Sequence, residues 1–154
     1  MLATDVLKDN HRAILELFDR YQRAGRGDHG QRRELFQQIK RTLRTHLSLE
    51  EEMLYPAMIR RPSPAAVRRL DGVLREHLHI DDLLTSLSGL QPEDRDFDPG
   101  LRELRRSVEE HLQLEELGPY GEIRRCLKRK ALEKLGALIR ARIDLLSRAA
   151  VPLS

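Results

Sequence analysis

The sequence has one cysteine, no tryptophan, and only three Phe and three Tyr among its 154 residues. Cys126 has no partner within the chain, so a disulfide framework is excluded, and so is a zinc site built on a cysteine cluster. The scarcity of aromatic and β-branched residues argues against a β-sandwich or barrel. No apolar run approaches the roughly 18 residues that a membrane span needs. The N-terminal stretch Met1 to Val6 is neither a basic-then-apolar signal peptide nor an Arg-rich, acid-free transit peptide, so a cytoplasmic protein without a membrane partner is expected. With so few large rings, a cofactor would be held by polar ligands rather than by an aromatic-lined pocket. What the chain has in abundance is Leu, Arg, Glu and Ala, the strong helix formers, in a length that suits one ordinary domain. The residues that call for explanation are six histidines.

The formal net charge of +3 is unevenly placed. Residues 122–148 carry nine Lys and Arg against Glu122, Glu133 and Asp144, a local +6 that leaves −3 for the rest. Such a helix could meet nucleic acid or an anionic membrane. No aromatic stacking residue or DNA-reading motif accompanies it, so it reads as a solvated face packed on a slightly acidic body, with no nucleic-acid partner.

Period and punctuation predict five helices. The first runs from about Thr4 to Ala24 with Leu7, Ile14, Phe18 and Tyr21 on one stripe, and Gly25-Arg26-Gly27 ends it. The second runs from about Gln31 into Met58 with Leu35, Ile39, Leu43 and Met53 aligned, and Pro56 kinks or stops it. Ser63-Pro64 and Asp98-Pro99 each read as an N-cap followed by proline at the first helical position. They open a third helix ending at Gly89 and a fourth ending at Gly118-Pro119. The fifth is expected from about Glu122 to Arg148, with Ile123, Leu127, Ala131, Leu135, Leu138, Ile139, Ile143 and Leu146 inward. One-sided stripes and short connections predict an all-α fold, an antiparallel up-down-up-down four-helix bundle with an additional C-terminal helix. Residues 1–121 would form the bundle, and 122–154 a basic helix lying across it or mediating a dimer; a monomer or a homodimer is expected.

The chain also repeats itself. His46-Leu47-Ser48-Leu49-Glu50-Glu51 returns 65 residues later as His111-Leu112-Gln113-Leu114-Glu115-Glu116, and Tyr55 as Tyr120. Leu7, His11, Ile14, Leu17 and Phe18 return 66 residues later as Val73, His77, Ile80, Leu83 and Leu84. Two helical hairpins of one design result, with a histidine at the matching place in all four helices. Packing explains a repeated apolar rhythm but not repeated histidines.

At about 100° per residue, positions four apart share a face. His46 with Glu50 and His111 with Glu115 therefore continue the buried stripes of their helices, and His11 and His77 fall within theirs. Asp81 lies one turn past His77 on the same face. Buried carboxylates without partners are costly, and a cation offsets that cost. The ligands are too many for one tetrahedral zinc. Mixed imidazole and carboxylate donors in this number suit two octahedral iron or manganese ions with bridging carboxylates. The ferritin-like alternative needs two ExxH pairs and two further Glu. Here ExxH occurs once, at Glu76–His79, with His79 turned away from the seam. His29 and His79 are read as surface residues. Glu51 and Glu116 sit off the seam, either orienting ligands or facing solvent. The Tyr55–Tyr120 repeat hints at a hydrogen bond to a ligand, but straight-helix arithmetic sets Tyr55 opposite His46 unless Pro56 bends the helix, so packing is the expected role.

The order His11…His46xxxGlu50…His77…His111xxxGlu115 resembles the hemerythrin HHE domain, a non-haem di-iron four-helix bundle, over residues 1 to about 121. The resemblance implies that His11 and His46 hold one iron, that His77 and His111 hold the other, and that Glu50 and Glu115 bridge them, with an oxo or hydroxo bridge between the ions. It also shows one departure. Oxygen-carrying hemerythrins have a His one turn after the third-helix His, where this chain has Asp81. That change either opens a coordination position or places a third carboxylate on iron. Oxygen donors favour the ferric state, which moves the expectation from reversible O2 carriage towards H2O2, NO or redox chemistry. The implied function is reaction with a small oxidant, foremost catalase-like peroxide breakdown in oxidative or nitrosative stress. The alternative is an O2- or NO-binding, redox- or iron-sensing protein without turnover.

Overall fold

The structure is a computed structural model that describes residues 1–59 and 64–149. Among these residues it is helical, without strands: α1 (Ala3–Arg23), α2 (His29–Leu49), a π-helical turn (Glu50–Leu54), α3 (Tyr55–Ile59), α4 (Pro64–Ser88), α5 (Phe97–Leu117), α6 (Pro119–Cys126) and α7 (Arg129–Ala149). Ser63, read as a cap, lies outside the described residues. None of these helices is long and apolar enough to cross a membrane.

Local chemistry sets the joins. The Asp28 carboxylate accepts the Gln31 N–H at 3.1 Å and starts α2. Arg32 reaches back to donate to the Ala24 carbonyl at 3.1 Å while its guanidinium lies 5.0 Å from the Tyr21 ring centroid, tying the end of α1 to the start of α2. Pro64 opens α4 as expected. α5 instead begins at Phe97 with Asp96 preceding it, so Asp98 is no cap. It sits in the first turn, 3.6 Å from Arg32.

α2 meets both α1 and α4 with chain numbers that run in opposite senses. His46 meets His11 where Arg32 meets Ala24. Arg44 meets Asp81 where Lys40 meets Ser88. Between them lie two apolar clusters. One holds Ile14, Phe18, Leu35, Ile39, Leu43, Ile80, Leu84, Phe97, Leu104 and Val108. The other holds Leu7, Leu49, Leu54, Leu70, Val73, Ile123, Leu132 and Ile139. The four inward histidines lie at the level between the two.

The segment after residue 121 departs from the single fifth helix expected. Its first turns belong to α6, which starts at Pro119, and the backbone becomes extended at Leu127 (φ −107°, ψ 143°) before α7. Leu132, Gly136 and Ile139 are the buried positions of α7, while Ala131, Leu138 and Leu146 are exposed. α7 lies along α1, and Gly136 sits against the start of the chain: a Cβ there would overlap the Met1 carbonyl and stand 3.0 Å from the Ala3 nitrogen. Its basic residues partly pair with the bundle, Arg142 with Glu52 at 3.0 Å and Arg140 with Asp9 at 3.9 Å.

Candidate metal centre

His11, His46, Glu50, His77, His111 and Glu115 meet at the middle of the bundle, none more than 2% exposed. They form two overlapping groups. His11, His46, Glu50 and Glu115 make one, and His77, His111, Glu50 and Glu115 the other; in each, the donor atoms lie within 4.8 Å of one another. The Nε2 atoms of His11 and His46 are 3.1 Å apart, and those of His77 and His111 are 3.0 Å apart. Glu50 Oε1 stands 3.1 Å from His46 and 3.5 Å from His77, so it faces both groups. Glu115 Oε1 does the same, at 3.0 Å from His111 and 3.7 Å from His11.

Each histidine presents Nε2 to the centre because its Nδ1 is held from outside. Glu116 holds His11 at 3.1 Å, Asn10 holds His46 at 2.8 Å, Glu51 holds His77 at 2.9 Å, and Glu76 holds His111. The two tyrosines cross over. Tyr55 donates to Glu115 Oε2 at 2.6 Å, and Tyr120 donates to Glu50 Oε2 at 2.8 Å while lying 2.9 Å from His11 Nε2.

Residues 2–123 match the family model described as the hemerythrin HHE cation binding domain. The chain belongs to the hemerythrin HHE cation-binding domain family. Its fold is similar to the crystal structure of an HHE cation binding domain-containing protein from Mycobacterium kansasii, with a TM-score of 0.83 and 24% identity, over 97% of this chain and 90% of that one. No curated protein matches it at significance.

Two features of this HHE domain fit a pair of metal ions. First, Glu50 Oε1 and Glu115 Oε1 are buried and form no hydrogen bond, which is costly for a carboxylate unless a cation takes the lone pair. Second, neighbouring ligands about 2.1 Å from an octahedral ion stand about 3.0 Å apart, the spacing that both Nε2 pairs show.

Protons take the cation's place when no metal is bound. Burial opposes charge on His46, but the Glu50 and Glu115 carboxylates outweigh it and push its pKa up to about 10. On His111 burial is likewise outweighed, mainly by Glu115, and its pKa rises to about 9. His11 goes the other way: burial, with His46 beside it, lowers it to about 2. Glu50 is held ionised despite its burial, chiefly by His46, whereas burial and the Glu50 charge raise Glu115. Burial next to two carboxylates raises both tyrosines, so they remain donors.

Several residues are placed differently from the expectation. Asp81 does not join the cluster. Its carboxylate is half exposed and pairs with Arg44 at 3.1 Å, since Arg44 on the adjoining helix offers it a partner at the surface. Tyr55 is brought to the site, but not by a kink at Pro56. The π-helical turn Glu50–Leu54, in which the Tyr55 N–H bonds to the Glu50 carbonyl five residues back, absorbs one extra residue. That sets the helix back by about 100° and swings Tyr55 round from the far face. In the second repeat the break at Gly118-Pro119 does the same for Tyr120. Glu51 and Glu116 both orient imidazoles. Asn10 and Glu76 were not anticipated, although the repeat contains the signal: the 66-residue offset that superposes His11 on His77 also superposes Asn10 on Glu76. His79 is exposed, and His29 stands at the surface 3.8 Å from Glu93.

Proposed function

We propose that this HHE domain is a non-haem di-iron protein that disproportionates hydrogen peroxide, in defence against oxidative or nitrosative stress. His11 and His46 would hold one ion and His77 and His111 the other, with Glu50 and Glu115 bridging. An iron pair supplies one-electron redox steps and coordination positions for a small oxidant. The observation that carries the reading is the ligand count in a sealed core. Four Nε2 and two free carboxylate oxygens, with Oε2 of each glutamate held by a tyrosine, would be too few to fill the coordination of two octahedral ions and would leave room for a small reactant. Asp81 adds nothing to these donors. The burial of the six side chains favours reactants of very few atoms. Peroxide is both oxidant and reductant in this reaction, two H2O2 giving two H2O and O2, so no large co-substrate need enter.

The protein's own part is positioning. Tyr55 and Tyr120 keep the bridging carboxylates in place by hydrogen bonds, and the Nδ1 partners keep each ring aimed inward. The helix pairings support an antiparallel up-down-up-down bundle, with 122–154 appended to it. The ion pairs of Arg140 and Arg142 with the bundle support a basic helix that serves the fold rather than nucleic acid or membrane. The reading is of a cytoplasmic monomer or homodimer, with manganese the lesser metal choice. Tyr120 favours a second reading, O2 or NO binding or redox sensing without turnover. It joins His11 directly to α6, a route by which a change at the centre reaches the surface.

Oxygen release from H2O2 by iron-loaded protein tests the first reading. His46→Ala and His111→Ala should each abolish it, and full activity in both would sink the assignment. Reversible spectral change with O2 or NO and no oxygen release would select the second.

A further inference from the structure

The residues that hold the four histidines and two glutamates follow an internal two-fold relation, and one pair of them breaks it. Exchanging the two hairpins superposes His11 on His77, His46 on His111, Glu50 on Glu115, Glu51 on Glu116 and Tyr55 on Tyr120. Most contacts follow suit, although Tyr120 also lies 2.9 Å from His11 Nε2 and no matching bond joins Tyr55 to His77 among the described residues. Glu51 holds His77 as Glu116 holds His11, and each tyrosine crosses to the other hairpin's glutamate. The exception is Asn10 opposite Glu76. His46 Nδ1 donates to a neutral amide oxygen, and His111 Nδ1 to a carboxylate.

A carboxylate on the outer nitrogen makes an imidazole a stronger donor to metal, and loss of such a partner typically costs about 10- to 100-fold in metal affinity. Both rings of the His77–His111 half have one, Glu51 and Glu76. The His11–His46 half has one on His11 only, Glu116. Glu76 and Glu51 are 39% and 44% exposed, so water screens their charges over distance. Their influence therefore runs through the hydrogen bond to the ring, which confines each to its own half-site.

We propose that Asn10 and Glu76 make the two halves of the centre unequal: the His77–His111 half takes the first metal ion, and the His11–His46 half, with Asn10 on His46, takes the second and holds it more weakly. This rests on the two-ion reading above and adds an order to it.

Calorimetric titration of metal-free protein with Co(II) tests the order without any activity measurement. Wild type should show two steps whose affinities differ by about tenfold. Glu76→Gln should weaken the first step by about tenfold and leave the second within about twofold. Asn10→Asp should tighten the second step towards the first, which a merely damaged fold would not do. A single step in wild type, or two steps that neither variant moves, overturns the inequality while leaving the two-ion centre intact. Wild type that binds no Co(II) overturns both.

Discussion

Metal loading should expel protons, and the structure sets the scale. In the metal-free site His46 and His111 have pKa values near 10 and 9, so both are charged at neutral pH, and both must lose a proton before Nε2 can bind an ion. At about 1.4 kcal/mol per unit, deprotonation at pH 7 costs about 4 kcal/mol for His46 and about 3 for His111. These costs oppose binding and shrink as pH rises. Between pH 7 and 9 the overall association constant for two ions should therefore climb by about 100-fold per pH unit. Calorimetry of Co(II) binding in buffers of different ionisation enthalpy measures the release directly. At least two protons should leave per chain, with Glu115 adding to the number to the extent that its raised pKa keeps it protonated. Binding enthalpies that do not vary with the buffer would refute the picture of protons standing where the cations go.

Three further outcomes follow from the same geometry. The metal-free protein should be most stable near neutrality. The raised His46 and His111 contribute stability that is present below about pH 6.5 and lost as pH rises through 9 to 10, while the depressed His11 contributes stability lost as pH falls below about 6.5, where the unfolded chain takes up a proton that the fold refuses. Urea denaturation of chelated protein at pH 5, 7 and 9.5 checks this, and metal loading should flatten the alkaline side. Tyr55→Phe removes the donor from Glu115 Oε2 and should cost about 1–3 kcal/mol in the same assay, without lowering metal stoichiometry. Gly136→Ala forces a Cβ into the Met1–Ala3 backbone and should destabilise the docking of α7 by about 1–3 kcal/mol, seen as faster proteolysis after α6.

The repeat made much of this arrangement legible. Histidines at 11, 46, 77 and 111 sit in phase with leucine stripes, and helical phase survives folding wherever the helix is regular. Tyr55 shows where that logic stops. The π turn before it is a local change of pitch, and nothing in Glu50-Glu51-Glu52-Met53-Leu54 announces it by composition. The break at Leu127 is equally silent, being neither Gly nor Pro, and the helix after it buries Leu132, Gly136 and Ile139 while Leu138 stays exposed. Asp81 has the right phase for the centre, but a salt bridge from a neighbouring helix is a tertiary fact that spacing does not encode. Asn10 and Glu76 were within reach of the repeat comparison. They stand beside ligands, about 100° off the seam, where a side chain serves the histidine of the adjoining helix rather than its own.

Iron content, read together with the absorption spectrum, tests the central claim most directly. Protein reconstituted anaerobically with Fe(II) and then oxidised should hold two irons per chain and absorb in the near-ultraviolet as an oxo-bridged ferric pair does. His46→Ala and His111→Ala should each lose that absorption. Wild type that holds less than one iron per chain, or variants that keep two irons and the same spectrum, would contradict the account.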